Sequence, residues 1–499
     1  MTNVLSQIVT MICGFILPRM ILSAFGSSYN GITASVSQFL SVVALLRAGV
    51  GGATRASLYK SLADHDTAQI SATVRATEIF MRKVALIFLG FAIVFSAIYP
   101  FLVQDEFEWG FAASLVLIIS LSTFIQYFFG ITYQMLFQAD QRQYITAGIT
   151  IGATILNTMI AVILIRCGIG IHGVKLGSAV AFSITPITVN FLAKKRYHLD
   201  RKARPDFSSI KQRWDAFFHQ LASFIHSNTD IALLTLFTNT KEISVYTVYY
   251  LIANGLKSIM NTLVTGVESA FGNILARNET EVLLKDVIHY ETLLHTVSSF
   301  LFGSALVLVT PFVQVYTRGV TDVNYTRYLF GYLAIIGEML FALRSPYEAL
   351  VNAAGHFKQT KKYAFAEAGI NLVISILMVY RFGLVGVVAG TVISIAYRNI
   401  AYGIYASKII LHRSIGMMVK RFIITGITMA GIWAVSTVLP RPEMTGYLNW
   451  GIFAVETALE AMIITIIMNC FFYRQDLQLL TRKIIGILKS TIGKRQNEK

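Results

Sequence analysis

Long apolar segments recur along the whole of this 499-residue chain, and they constrain its fold more than any other feature. A helix that crosses a bilayer needs ~20 mostly apolar residues, and the sequence has room for about fourteen such segments. Hydrophobic residues make up 55% of the chain and charged residues 14%, whereas about a quarter of the residues in soluble proteins are charged. We therefore expect an all-α integral membrane protein with about fourteen transmembrane helices.

The connections between the expected helices are short, and none is long enough for a separate soluble domain. The first apolar segment contains Pro18 and Arg19 and has no small-residue cleavage site, so we expect a retained helix rather than a signal peptide. The expected helices are residues 4–26, 31–54, 79–103, 110–137, 143–166, 170–193, 214–238, 243–270, 291–317, 327–353, 362–381, 384–408, 418–439 and 448–473.

The formal net charge of +16 predicts the orientation of the chain in the membrane. With the N-terminus inside, about 30 of the 42 Lys and Arg residues fall on the inner side and about 6 on the outer side. The expected outer turn at residues 104–109 has acidic residues and no basic ones. This distribution favours contact with anionic lipids over a nucleic-acid partner, and it places both termini in the cytoplasm.

A weak internal repeat divides the expected helices into two similar sets. Residues 133–177 resemble residues 347–390, with Asn157 corresponding to Asn371 and with a similar glycine spacing in the turn that follows. An offset of six helices gives both sets the same topology, as in parallel repeats related by a pseudo-two-fold axis along the membrane normal. The expected divisions are an N-lobe of helices 1–6 (residues 1–195), a C-lobe of helices 7–12 (196–412), helices 13–14 (413–473) and a basic cytoplasmic tail (474–499). We expect the tail to form an amphipathic helix on the membrane surface.

Ionisable residues within the expected helices are the candidates for function, because a charge at membrane depth is costly. Arg19 lies in the first helix, Arg47 in the second and Lys257 near the middle of the eighth. If these helices line a central cleft, the three cations make that cleft attractive to a phosphate or pyrophosphate. An arginine suits phosphate because its planar head can donate two parallel hydrogen bonds.

Two further residues in the expected helices are candidates. Arg344 lies just before Pro346 in the tenth helix and is a fourth candidate for substrate binding. Asp230 in the seventh helix is a candidate for carrying a coupling proton or cation. Each cation could instead pair with a buried acid and hold helices together, and Asp230 could neutralise Arg19 in this way.

Enzyme motifs are absent from the sequence. It contains no GxxxxGK[ST], HExxH or GxSxG pattern, and its three cysteines are too few and too scattered for a zinc site or a disulfide framework. We therefore expect a transporter rather than an enzyme, with no cofactor and no metal.

Three local features carry a resemblance to a known family. They are the sequence FGSSYNG at residues 25–31, the segment Asn228-Thr229-Asp230 followed by Val245-Tyr246, and the paired glycine turns of the repeat. With the helix count, they make nearly the whole chain similar to the polysaccharide-transporter branch of the multidrug/oligosaccharidyl-lipid/polysaccharide (MOP) exporter superfamily.

The resemblance implies a flippase of the bacterial plasma membrane. Such a protein moves an undecaprenyl-pyrophosphate-linked oligosaccharide from the inner to the outer leaflet by alternating access, and its partners are that substrate, membrane lipids and polysaccharide assembly proteins. Relatives that flip the peptidoglycan precursor use arginines on helices 1, 2 and 8. Arg19, Arg47 and Lys257 match those positions roughly, although Lys257 departs in residue type.

Three other functions remain open at this point. A peptidoglycan-precursor flippase would share the basic cleft, whereas a cation-coupled multidrug exporter of the same superfamily would have an acidic or aromatic cleft. A membrane-bound polysaccharide polymerase or ligase would need a large outer loop, and the expected outer connections are short.

Overall fold

A computed structural model describes residues 2–200, 202–210, 224, 228–264, 267–277, 279–439 and 444–474, and within these ranges the regular secondary structure is helical, without strands. The helices are α1 Thr2–Phe25, α2 Ser27–Leu40, α3 Val43–Ala63, α4 Thr67–Ile98, α5 Trp109–Ile125, α6 Ile131–Ala139, α7 Gln143–Arg166, α8 Ile171–Tyr197, α9 Asn228–Phe237, α10 Thr240–Val264, α11 Val267–Ala276, α12 Thr280–Tyr316, α13 Tyr328–Ala353, α14 Phe357–Phe382, α15 Leu384–Tyr405, α16 Ile415–Val438 and α17 Tyr447–Phe472. Single π-helical turns at Gln126–Gly130 and Ala406–Ile410 follow α5 and α15.

Eleven of the described helical segments are long and apolar enough to cross a membrane. The number rises to twelve if the bent pair Ser27–Leu45 and Val50–Ala63 forms one span. The all-α membrane fold is therefore confirmed, and the count of fourteen stays a prediction. Two expected spans fall short of these criteria: much of residues 214–238 lies outside the described residues, and α10 carries several polar residues, Lys257 among them.

Apolar side chains cover much of the exposed surface, as a lipid environment requires. On α8, Ile187 is 56% exposed and Phe191 is 65% exposed. The backbone polar groups behind them are bonded within the helix, which is the condition for a segment in contact with hydrocarbon. These faces are membrane-facing surfaces rather than sites that need a protein partner.

The contacts within the chain form two compact units. The first comprises Met1–Thr247 with Gly319–Asn324, and the second comprises Val248–Arg318 with Tyr325–Lys499. The core of the first unit includes Ile32, Met81 and Phe88, whereas the second has a core that includes Tyr347 and Tyr402. The contacts of α9 thus place it in the first unit. The division into two six-helix lobes, which rests on the internal repeat, stays a prediction. The amphipathic tail predicted for residues 474–499 lies outside the described residues beyond position 474.

The turn between α1 and α2 is tied to three distant segments of the first unit. Gly26 has a φ of +92°, and the Asp322 carboxylate accepts hydrogen bonds from the Ser27 backbone N–H (2.8 Å) and hydroxyl (2.7 Å). The carboxylate of Glu106 accepts from the Ser28 hydroxyl at 3.0 Å and from the Thr240 backbone N–H at 2.8 Å. Two carboxylates therefore join this turn to the start of α10 and to the segments that precede α5 and α13. This end of the unit is the one that the charge distribution predicts to be outer.

Close backbone packing at the same end requires a glycine at position 31. A Cβ at Gly31 would come within 1.7 Å of the Thr240 carbonyl oxygen. The Asn30 side chain next to it donates hydrogen bonds to the hydroxyls of Ser244 (2.8 Å) and Thr247 (3.2 Å). α2 and α10 are therefore in direct contact here, through backbone and side chains together.

Replacing Gly31 by alanine should destabilise the protein by about 1–3 kcal/mol, because the added methyl group must separate α2 from α10. The measurement is unfolding of the purified chain in detergent. Gly90→Ala is the matched control, since Gly90 is also helical and a methyl group added there would meet no atom within 4 Å. Equal stability of the two variants would contradict the close contact at Thr240.

Candidate functional site

Arg47 lies on α3 and lines a cavity of about 290 Å³ in the first unit. A second arginine, Arg55, lies two turns further along the same helix and lines the same cavity. None of the described residues that line it is acidic; they are Arg47, Gly51, Gly52, Arg55, Ile131, Gln134, Met135 and Gln138. The cavity is therefore basic, with two uncharged amides as its other polar groups.

The spacing of the two arginines brings them to one cavity. Arg47, Gly51 and Arg55 are successive positions at intervals of four residues, and all three line the cavity, with Arg47 at the bend between Leu45 and Val50. Gly51 is buried, and a Cβ there would lie 3.3 Å from Cε of Met135. The neighbouring Gly52 is exposed, and a Cβ there would meet no atom within 4 Å. The cavity wall between the two arginines is therefore open at Gly52.

Neighbouring side chains fix one of the two arginines. Arg55 donates from Nη1 to Oε1 of Gln138 on α6 at 3.1 Å, and it is partly buried. Arg47 is exposed, so its head can change position. One guanidinium is therefore held in place and the other is adjustable. Of their ten N–H donors, one is used by Gln138.

The sequence pattern did not single out Arg55. Its expected helix ended at residue 54, and a cation at a helix end is normally explained by snorkelling to the interface. The usable signal was the arginine–glycine–arginine pattern at intervals of four residues, which predicts a shared face independently of where the helix ends.

Arg19 and Asp230 lie in the first unit as well. Arg19 is half-buried in α1, directly after the in-helix Pro18, and α1 packs against α7 and α2. Asp230 is buried on α9 and accepts a hydrogen bond from the Tyr246 hydroxyl at 3.1 Å. The coupling role of Asp230 and the substrate role of Arg19 stay predictions.

Lys257 lies in the second unit and forms an ion pair there. Its Nζ is 3.3 Å from Oε2 of Glu338 on α13 and 4.0 Å from the centre of the Phe341 ring. Glu338 is largely buried. The charge of Lys257 is thus balanced in this conformation, and a substrate anion would have to replace Glu338 to bind it.

Arg344 belongs to a network of two arginines and two glutamates, of which only Glu348 is partly exposed. It is 4% exposed and contacts Glu348 at 3.1 Å and Glu367 at 2.9 Å. Arg398 contacts the same two glutamates, at 3.5 Å and 2.5 Å. Two positive and two negative groups therefore join α13, α14 and α15. This arrangement supports a role for Arg344 in holding helices together, and its role in substrate binding stays a prediction.

A metal site is not evident in the part of the chain that the structure describes. Within it, no group of three or more His, Cys, Asp and Glu residues is placed to hold a metal ion.

Comparisons with known proteins give relatives by fold rather than by sequence. No protein-family model matches the chain, and no curated protein matches it significantly. Among solved structures, the lipid II flippase MurJ in an inward closed conformation has a TM-score of 0.69 at 15% identity and covers 95% of this chain and 98% of its own. An inward-facing multidrug resistance transporter of the MATE family in the MOP superfamily has a TM-score of 0.56 at 12% identity, over 81% of this chain and 98% of its own.

A eukaryotic MATE transporter extends the same comparison. Its TM-score is 0.55 at 14% identity, and the match covers 92% of this chain and 97% of the transporter. The chain is thus a multi-pass membrane protein with the fold of MOP superfamily transporters. The resemblance to that superfamily is confirmed at the level of the fold, and these identities carry no information on substrate.

Glu367→Gln should destabilise the second unit strongly, because it removes one of two carboxylates that neutralise two buried arginines. Breaking a buried ion pair by removing one partner costs about 3–5 kcal/mol. Unfolding of the purified chain in detergent measures the loss. Glu456→Gln on α17 is the control, since Glu456 is exposed and loses the same charge. A loss no greater than that of the control would argue against a stabilising network around Arg344.

Proposed function

We propose that this protein is a flippase that moves an undecaprenyl-pyrophosphate-linked oligosaccharide, the repeat unit of a surface polysaccharide, across the bacterial plasma membrane by alternating access. The fold shared with MOP superfamily transporters supports transport as the general activity. The location in the bacterial plasma membrane, with both termini in the cytoplasm, belongs to the same proposal and is supported by the uneven distribution of Lys and Arg.

The observation that carries the proposal is the cavity shared by Arg47 and Arg55. Two guanidinium groups line it and no described lining residue is acidic, so an anion gains both charge attraction and directed hydrogen bonds. A pyrophosphate has two phosphate groups, and two arginines in one cavity supply a donor set for each. A cationic drug would be repelled by the same cavity.

The chemistry of the substrate explains why a protein is needed. A pyrophosphate and its sugars would lose their hydration on entering hydrocarbon, and the cost is several kcal/mol or more for each unpaired polar group. In the proposed cycle Arg47 and Arg55 bind the pyrophosphate, the sugars stay hydrated and the polyprenyl tail stays in lipid. Arg19, Lys257 and Arg344 remain predicted as further contacts to the substrate. To bind it, Lys257 would have to break its ion pair with Glu338.

Release on the far side would require the bonded end of the first unit to open. Glu106 and Asp322 join four segments there through hydrogen bonds to backbone and hydroxyl groups. Each bond to a charged group contributes about 1.5–3 kcal/mol, so these bonds together stabilise this end by well over a few kcal/mol. The proposed cycle therefore requires them to be exchanged for bonds to water when this end opens.

A second candidate function is a cation-coupled multidrug exporter. Its support is the buried Asp230 with its hydrogen bond from Tyr246, because a membrane-embedded carboxylate can carry a proton or cation. The basic cavity counts against it. A peptidoglycan-precursor flippase would use the same pyrophosphate chemistry, so the glycan attached to the substrate is what separates it from the first proposal.

Arg47→Gln and Arg55→Gln should each lower flipping of a fluorescent undecaprenyl-pyrophosphate oligosaccharide in proteoliposomes by about tenfold or more, since each removes a charge-assisted contact worth about 1.5–3 kcal/mol. Arg47→Lys keeps the charge and loses the planar head, so an intermediate rate is expected.

The same proteoliposomes carry the controls for that experiment. Gln143→Glu, at the start of α7 and outside the cavity, changes a charge without touching the site and should flip at the wild-type rate. Full activity in both arginine variants would remove the cavity from the substrate path. Extrusion of a cationic dye together with absent lipid flipping would favour the multidrug exporter.

A further inference from the structure

A second basic cavity, of about 270 Å³, lies elsewhere in the first unit. It shares no residue with the cavity of Arg47 and Arg55. Its described lining residues come from α4, α6, α8 and the segment after α8; they are Ser71, Val74, Arg75, Glu78, Arg82, Tyr133, Lys194, Leu199 and Asp200. Three cations therefore face two carboxylates around one small polar space.

A single buried carboxylate organises the two arginines. Glu78 is 8% exposed, and it accepts hydrogen bonds from Arg75 Nη1 at 3.0 Å and from Arg82 Nη2 at 2.6 Å. The Tyr133 hydroxyl lies 3.4 Å from the same carboxylate. One acid thus orients two guanidinium groups and balances the charge of only one of them.

The remaining contacts leave donor capacity at the cavity. Arg82 Nε is buried and has no hydrogen-bond partner among the described residues, and its guanidinium lies 5.1 Å from the centre of the Phe128 ring. Lys194 Nζ lies 5.3 Å from the Tyr133 ring. The second acid, Asp200, already accepts from the Lys202 backbone N–H at 2.8 Å. The free Nε of Arg82 and the net positive charge of the cavity both favour an anion as its ligand.

The cavity lies at the level where lipid-facing surfaces end. On α4, Arg82 is followed within two turns by the exposed Leu86 and Ile87. On α8, Lys194 follows the exposed Phe191 by three residues. Phospholipid headgroups occupy this interface, and basic pockets between helices on the cytoplasmic side bind anionic headgroups.

We propose that the cavity of Arg75, Arg82 and Lys194 binds the phosphate of an anionic phospholipid headgroup, at a site separate from the transport path. Its volume of about 270 Å³ lies just below the ~300–1,000 Å³ range of small-ligand pockets, which suits a small polar group such as a phosphate. The acyl chains would lie along the exposed apolar faces of α4 and α8. Free phosphate offers the same chemistry without the chains.

The test is direct binding to the full chain purified in neutral detergent, measured as the shift of its thermal midpoint during titration. The probes are phosphatidylglycerol, phosphatidylcholine and inorganic phosphate. Phosphatidylglycerol should bind tighter than either of the others. Lys194→Gln leaves both Glu78 ion pairs in place. It should weaken phosphatidylglycerol binding about fivefold, because one cation near an anionic lipid surface contributes about 1 kcal/mol of binding free energy. Arg82→Gln should weaken binding at least as much.

Lys83→Gln is the matched control, because Lys83 is exposed on the same helix and does not line the cavity. Weakening by this variant equal to that by Lys194→Gln would show diffuse charge attraction and overturn the proposal. A lower midpoint for Arg82→Gln without lipid, together with unchanged lipid binding in both variants, would show that the cluster only joins helices. Equal affinity for inorganic phosphate would assign the site to free phosphate instead of lipid. Lipid binding is measured without substrate, so its failure would leave the flippase proposal untouched.

Discussion

The cost of a charge in hydrocarbon is the constraint on which the rest of this structure depends. A charged side chain in a membrane protein must be paired, hydrated or carried to the interface. The described residues use each solution in a different place. Arg344 and Arg398 are paired with Glu348 and Glu367, and Arg47 lines an open polar cavity. The arginines around Glu78 share one carboxylate, and the proposed headgroup site places them at the interface.

These three environments give the same residue type three different roles. The buried pairs across α13, α14 and α15 stabilise the helix contacts of the second unit, because neither partner can lose the other without a large penalty. The cavity on α3 has two cations and no acid among its described lining residues, so binding energy there is available to a ligand. The cluster around Glu78 combines both features, since one carboxylate orients two guanidinium groups and a net positive charge remains.

Much of the fold could be predicted from the sequence, because segment length and hydropathy reflect the thickness of the bilayer. Each expected span has a helical counterpart in the described residues, in part for residues 214–238. The first and last residues of the helices were less predictable. α4 begins at Thr67 and α12 at Thr280, well before the expected starts at 79 and 291, because polar first turns that extend beyond hydrocarbon resemble loops in composition.

The candidate site was predictable only as a set of costly charges. Depth along a helix identified Arg47, Lys257 and Arg344, but the pairing of Lys257 with Glu338 depends on how α10 packs against α13. The contacts at the turn between α1 and α2 also depend on tertiary packing, because Glu106 bonds to Ser28 and Thr240, which are distant from it in the sequence. Local sequence patterns show which charged residues are costly to place in the membrane. Tertiary packing determines which partner each of them contacts.

Pyrophosphate binding between Arg47 and Arg55 can be measured by chemical protection at position 52. Gly52→Cys, in a chain whose three native cysteines are replaced by serine, places a thiol in open space in the cavity that both arginines line. If pyrophosphate binds here, an undecaprenyl-pyrophosphate oligosaccharide should slow modification of this thiol by a membrane-impermeant reagent, and adding Arg47→Gln and Arg55→Gln should abolish the protection. Modification at the same rate with and without the substrate would contradict pyrophosphate binding in this cavity.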